Sequence, residues 1–204
     1  VSAFRSAASF LASFGHAWNG LVHTLVHQRN MRVHAVAALL VCLVGSGVPL
    51  GVAEETILIF CILLVFFAEI LNSALEALVD LATEKLHEKA RITKDAAAAG
   101  VLVLALGVVV VFAAILLHNW DVVAGNRPLV LRHVRYGVPL ALCQVLLVLP
   151  GRRPPVLDLG AFLAGGALLA TLARGTTSAV FTALAALLLV IAYAAALRHR
   201  PWRR

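Results

Sequence analysis

The sequence predicts an all-α, polytopic membrane protein: an N-terminal amphipathic surface helix, a bundle of three spans, and then about three more transmembrane helices. Three observations carry that expectation. Of the 204 residues, 62% are hydrophobic and 13% are charged, with a mean hydropathy of +0.96, against about 45–50% apolar and about 25% charged in a soluble domain. Apolar runs of the roughly 17–25 residues needed to cross a bilayer recur along the chain. The basic residues behind the net charge of +7 gather between those runs and at the C-terminus, not in one stripe interleaved with aromatics. That distribution fits anchoring to lipid headgroups and argues against a nucleic-acid partner.

Residues 1–30 hold no spanning run. Phe10, Phe14, Trp18, Leu21 and Leu25 recur at the spacing of a helix lying in the interface, with Trp18 at headgroup depth. His16, His23 and His27 fall within about 40° of one another on the polar face of that helix, which reads as a weakly basic headgroup-facing surface and not as a metal site. The stretch "VSAFRSAASFLASF" has no continuous apolar core and does not read as a cleaved signal. Six candidate spans follow: about Met31 to Val52, Thr56 to Ala82 and Ala96 to Leu117, then, after "HNWDVVAGNRP", Leu129 to Leu149, Val156 to Leu172 and Ala179 to Leu197. The expected division is a surface helix at 1–30, a three-span domain at 31–120 and a C-terminal transmembrane extension at 121–204.

Short-loop charge sets orientation. The loop before the second span holds Glu54 and Glu55, whereas "TEKLHEKARITKD" after it holds Lys85, Lys89, Arg91 and Lys94, so the second loop is expected in the cytoplasm. Alternation then places Arg152, Arg153, the tail "RHRPWRR" and both termini inside. Arg127, Arg132, Arg135 and Arg174 fall on the outer side against the rule, and a tilted or re-entrant fourth span stays open. Cys42, Cys61 and Cys143 lie singly in apolar runs, the pattern of buried small hydrophobes and not of disulfides or zinc ligands.

The stretch "AEILNSALEALVD" puts Glu69, Glu76 and Asp80 at the end of an apolar run. Spaced seven and four apart, they share one helix face within about 40°, flanked by Asn72 and Ser73. An ionised side chain at a span centre costs roughly 2.5–3.5 kcal/mol on insertion scales, so intramembrane acids mark function or an interior cavity by default. Asp80 lies nearest the interface, where the cost falls. Two chemistries suit such a face beside a loop carrying Lys94. The carboxylates could ligate a hard cation such as Mg²⁺ together with phosphate oxygens, or one acid could take a proton from an attacking hydroxyl while another helps hold the metal. No GxxxxGK[ST] loop and no GxGxxG, HRD or DFG set is present, so the familiar soluble nucleotide-binding folds are excluded.

At these residues the chain resembles the prokaryotic integral-membrane diacylglycerol kinase family, which includes undecaprenol kinases. The family signature is matched by Glu69, Asn72, Ser73, Ala74, Leu75, Glu76, Val79 and Asp80. The flanks "FGHAWNGL", "RNMRVH" and "KD" at 94 and 95 agree, so the resemblance covers about residues 10 to 118. It implies a three-span catalytic unit, a homotrimer, and transfer of the ATP γ-phosphate to a lipid hydroxyl at the cytoplasmic face of a bacterial inner membrane. Glu76 would be the general base and a metal ligand. Glu69 and Asn72 would shape the lipid site, with Ser73 and Trp18 beside them. Lys94, Asp95 and His87 would serve ATP, with Asp95 supporting Lys94. One departure stands out: the family commonly has a metal-binding acid just before "RN", and here that position in the metal and ATP site is Gln28.

Beyond residue 120 no such motif occurs. "GRRPPVLDLG" reads as a stiff turn, and the small residues of "FLAGGALLATLARG" as a packing surface against the first half or another subunit. Interface anchoring is the expected role of Arg132, Arg135 and Arg174. The leading expectation is therefore a membrane lipid kinase with ATP and Mg²⁺, acting on diacylglycerol or undecaprenol. The alternative is a weakened or inactive kinase-fold subunit used for binding or assembly. A proton or ion transporter is disfavoured, because the other spans lack acids to continue a path.

Overall fold

The computed structural model describes residues 2–83, 87–151 and 153–198, with side chains from residue 12 onward. The side chain of Phe10, Lys85, Arg152 and residues 199–204, on which parts of the reading above rest, lie outside the described set. The described residues form eight helices and no strand: α1 (Ser2–His27), α2 (Arg29–Gly47), α3 (Val52–Ala82), α4 (Glu88–His118), α5 (Trp120–Gly125), α6 (Arg127–Val148), α7 (Pro155–Ala173) and α8 (Ala179–Arg198).

Five of these, α2, α3, α4, α7 and α8, are long and apolar enough to cross a membrane, and the protein is a multi-pass membrane protein. The sequence had promised six. The sixth, α6, falls short of that measure because its apolar run is diluted by Arg132, His133, Arg135 and Gln144, yet it runs antiparallel along α2, with His133 against Gly47 and Gln144 on Ala35. Two of these polar groups find acceptors inside the protein. Gln144 is fully buried and its amide donates to the Ala35 carbonyl of α2 at 2.7 Å. The Arg132 guanidinium donates to the Thr171 carbonyl in the last turn of α7, one of the orphan carbonyls that every helix end leaves and that a cation suits. Arg132 therefore caps a helix where interface anchoring was expected. A Cβ at Gly175 would collide with that guanidinium, so glycine follows the end of α7 for lack of room. The short α5 was also not anticipated.

Helix α2 is the centre of the bundle. It packs on α6 and α8 on one side and on α3 on the other, while α4 leans on α3, α7 on α6 and α8, and α1 runs along α8 and the start of α2. Half of the most apolar window of α2 is buried, against 11% of that of α4, so α4, covered only on the side that leans on α3, leaves the rest of its surface to lipid or to other copies. The small-residue segment of α7 faces inward to the extension itself: Gly165 lies beneath Leu189 of α8 and Leu140 of α6. The close approach to α2 is made instead at Gly45, where a Cβ would strike the ring of the fully buried Phe181. Beyond it, the loop between α7 and α8 closes over the end of α2. The Thr177 N–H donates to the Ser46 carbonyl at 2.9 Å, and its hydroxyl lies 3.1 Å from that oxygen and 3.0 Å from the Val48 carbonyl.

Overpacking a close helix crossing costs about 1–3 kcal/mol. Gly45→Ala should lower the unfolding temperature of the purified protein in detergent by several degrees, whereas Gly107→Ala, where a Cβ meets nothing within 4 Å, should leave it unchanged or slightly raised. Equal effects of the two would mean that α8 does not rest on Gly45.

Candidate functional site

Helix α3 runs for 31 residues without a break, and its last four turns carry the acidic face. Its exposure falls off sharply with depth. The Asp80 side chain is 67% exposed, Glu76 is half-buried, and Glu69 is 1% and Asn72 4% exposed. The start of α2 packs against this face. Gln28 is the N-cap of α2, and its amide nitrogen donates to Glu76 Oε2 at 3.4 Å. From within α3, the Asn72 amide donates to Glu76 Oε1 at 3.0 Å. Each oxygen of the Glu76 carboxylate thus receives one amide donor, one from its own helix and one from across the α2–α3 contact. Deeper in, the Met31 N–H from the first turn of α2 faces the Glu69 carboxyl, where a helix N-terminus favours negative charge.

Two buried acceptors are left over: Glu69 Oε2 and Asn72 Oδ1 have no hydrogen-bond partner among the described residues. A buried polar atom without a partner is costly, so these oxygens are suited to a donor or cation brought by a ligand. Oxygen atoms of Glu76, Asn72 and Glu69, with the amide of Gln28 beside them, make a hard donor set of the kind Mg²⁺ takes. Among the described residues no three His, Cys, Asp or Glu side chains converge on one point, so a cation here would need other oxygens, such as phosphate, to complete its shell.

The remaining candidates stand apart from this cluster. Lys94, on the first turns of α4, forms an ion pair with Asp80 one turn beyond Glu76. Asp95, expected to support Lys94, instead pairs with Arg91 at 3.0 Å. The two sit four residues apart on one exposed helix face, a spacing that favours such pairs and that the sequence reading overlooked. His87 caps α4, its Nδ1 accepting from the Lys89 N–H at 3.2 Å. The Ser73 hydroxyl donates to the Glu69 carbonyl of its own helix at 2.8 Å and so is engaged with the backbone, while Trp18 is half-buried against the core. On α1, His27 stacks on His23 at 4.0 Å. Burial, then the neighbouring His27 and Arg198, hold His23 below the usual imidazole range.

The profile of the prokaryotic diacylglycerol kinases matches residues 15–116, half of the chain. The chain belongs to the prokaryotic diacylglycerol kinase family. Among relatives, it is 37% identical over 117 residues to a diacylglycerol kinase of Synechocystis sp., an alignment covering 57% of this chain and 67% of that protein. It is 42% identical over 97 residues to the undecaprenol kinase of Bacillus subtilis, covering 48% and 79%. It is 31% identical over 102 residues to a diacylglycerol kinase of Escherichia coli, covering 50% and 84%. No solved structure gives a significant match. The diacylglycerol kinase match runs from the middle of α1 to the end of α4 and so spans every candidate residue named above, while α5 to α8 lie beyond it.

Exposed ion pairs contribute about 0–1 kcal/mol, and the Lys94 and Asp80 side chains are 36% and 67% exposed. Lys94→Met and Asp80→Asn should each change the unfolding free energy by less than about 1 kcal/mol in denaturant titration. A much larger loss would make the pair part of the scaffold and not a pair free to open for a ligand.

Proposed function

We propose that this protein is an ATP-dependent lipid kinase of a bacterial inner membrane that transfers the ATP γ-phosphate to the hydroxyl of diacylglycerol or undecaprenol. The observation that carries the reading is the Glu76 carboxylate, held at both oxygens by amides between the buried Glu69 and Asn72 and the exposed ion pair of Asp80 with Lys94. The family and the named activities of its relatives support the same reading. In the proposed reaction Glu76 takes the proton from the lipid hydroxyl as the oxygen–phosphorus bond forms. The bond between the γ-phosphorus and its bridging oxygen breaks, and ADP leaves with the electron pair. Glu69 and Asn72, with acceptors to spare, would receive the lipid headgroup, with Trp18 and Ser73 on the lipid side. Lys94, on release from Asp80, would meet the nucleotide phosphates, near Asp95 and His87. Mg²⁺, held by Glu76 with help from Gln28, would neutralise phosphate charge.

Lys89, Arg91 and Lys94 at this end of the bundle favour a cytoplasmic face, where ATP is available, and with it cytoplasmic termini. The uncovered surface of α4 is the natural place for copies to associate through the kinase-like domain at 31–120, a homotrimer on the family resemblance, with 121–204 as an appended packing module. The test is purified protein with ATP, Mg²⁺ and each lipid alcohol in parallel, read as phosphorylated lipid. Removal of a general base costs about 10²–10⁴-fold, so Glu76→Gln should lower turnover at least a hundredfold while the protein stays folded. Wild-type protein inactive on both lipids would count against the reading.

One observation favours a second reading, a weakened or inactive kinase-fold subunit: position 28 is an amide whose nitrogen already donates to Glu76. Gln28→Glu separates the two. A fall of tenfold or more in the Mg²⁺ concentration for half-maximal activity would mark a site weakened by the amide. An unchanged requirement with full activity would show that no charge is needed there, and no activity in either protein would favour the assembly role.

A further inference from the structure

We propose that the groove between α2 and the end of α6 is a binding site for one anionic phospholipid. The groove has a volume of about 600 Å³. Val36 and Leu40 of α2 face Val145 and Leu149 across it, and Arg29 and Arg32 stand at one end. On α2, positions 29, 33, 36 and 40 line it, the four–three–four spacing of a single helix face. The extension creates this feature, because one wall and both charges come from the family-matched stretch and the other wall from beyond it.

The two ends of the groove ask for different chemistry. No carboxylate lines it. Arg32 gives one N–H to the Val26 carbonyl at 2.7 Å and keeps other donors. Arg29 is exposed and is in none of the ion pairs among the described residues. Its neighbour at 28 is an uncharged amide, so no adjacent acid offsets the pair. Guanidinium groups match phosphate oxygens with two parallel hydrogen bonds. From Arg29 to Leu40 the groove extends eleven residues of helix, about 17 Å, which is close to half of the roughly 30 Å hydrocarbon thickness of a bilayer. A charged mouth with an apolar trough the depth of one leaflet fits a phosphate headgroup and its acyl chain.

The test uses the purified full chain, stripped of lipid in detergent, with phosphatidylglycerol and phosphatidylcholine of identical acyl chains, read by native mass spectrometry and by thermal shift. One phosphatidylglycerol per chain should be retained and should raise the unfolding temperature, and phosphatidylcholine should do neither. Each basic residue near a membrane surface is worth about a fivefold change in binding of an anionic lipid, so Arg29→Gln should weaken phosphatidylglycerol about fivefold and Arg29→Gln with Arg32→Gln about twenty-five-fold. Because Arg32 also ties the α1–α2 turn, the single variant carries the test if the double one unfolds. Val36→Trp, which fills the trough and leaves both arginines, should abolish retention. Equal retention of the two lipids, retention untouched by Val36→Trp, or a thermal shift reproduced by inorganic phosphate alone would each overturn the proposal. So would a second copy of the chain cross-linked into the groove.

Discussion

The contact on which the arrangement depends is the closure of the α7–α8 corner over the end of α2. In hydrocarbon a backbone group without a partner has no water to turn to, and the last carbonyls of a helix are orphans by construction. Here Thr176 and Thr177 supply donors to Ser46 and Val48, while Phe181 sits on Gly45. Both interactions fix α8 along α2. The α2 helix, pinned at that end, continues unbroken over 19 residues to its other end. That other end carries Gln28 and the Met31 N–H onto the acids of α3. Packing in a part of the chain with no family resemblance thus supports the geometry of the part that has one.

The electrostatics of that junction explain how the site assembles without a cation. A carboxylate at position 28, within 3.4 Å of a Glu76 oxygen, would set two like charges in a partly dry contact, which is stable only with a cation between them or a shared proton. The amide removes the conflict by donating. Asn72 does the same from the other side, so the Glu76 carboxylate is oriented before any ligand arrives. The orphaned oxygens are displaced deeper, to Glu69 and Asn72, in the direction from which an apolar substrate would approach.

Much of this was legible in the sequence because it is local. The helix count over the first half and the shared face of Glu69, Glu76 and Asp80 follow from periodicity in an apolar run, and the family from its resemblance at the motif those residues carry. What was not legible is set by partners distant in the chain. Arg132 looked like a misplaced headgroup anchor because its acceptor, Thr171, lies 39 residues on. Gln144 drew no notice in the sequence, because its acceptor, Ala35, lies 109 residues back. The small residues of α7 were read as a surface for the first half or for another subunit, yet Gly165 meets Leu189 and Leu140. Small residues announce a close approach without naming the helix that makes it. The pairing of Asp95 with Arg91 in place of Lys94 is a local miss, visible in the four-residue spacing once Asp80 is recognised as the partner of Lys94.

The base proposed here, Glu76, would serve both a lipid and a nucleotide and would have to lie where the two solvents meet, and α3 provides such a position through a gradient along a single helix. Between Glu69 and Asp80, eleven residues or about 16 Å, exposure rises from 1% for the residue to 67% for the side chain. Glu76 lies between them, close enough to the dry end for water to be scarce and close enough to the wet end for Lys94 to be one turn away. The two amides that hold it differ in kind. Asn72 sits four residues back on the same helix at 3.0 Å, so its hydrogen bond persists in any motion of α3 as a body. Gln28 belongs to another helix and reaches 3.4 Å, near the limit of a useful hydrogen bond, so a shift of α2 by a few tenths of an ångström would break or tighten that contact alone. The orientation of the carboxylate is then set by α3, while the contact made by its second oxygen is set by α2, and through α2 by the helices of the extension that pack on it.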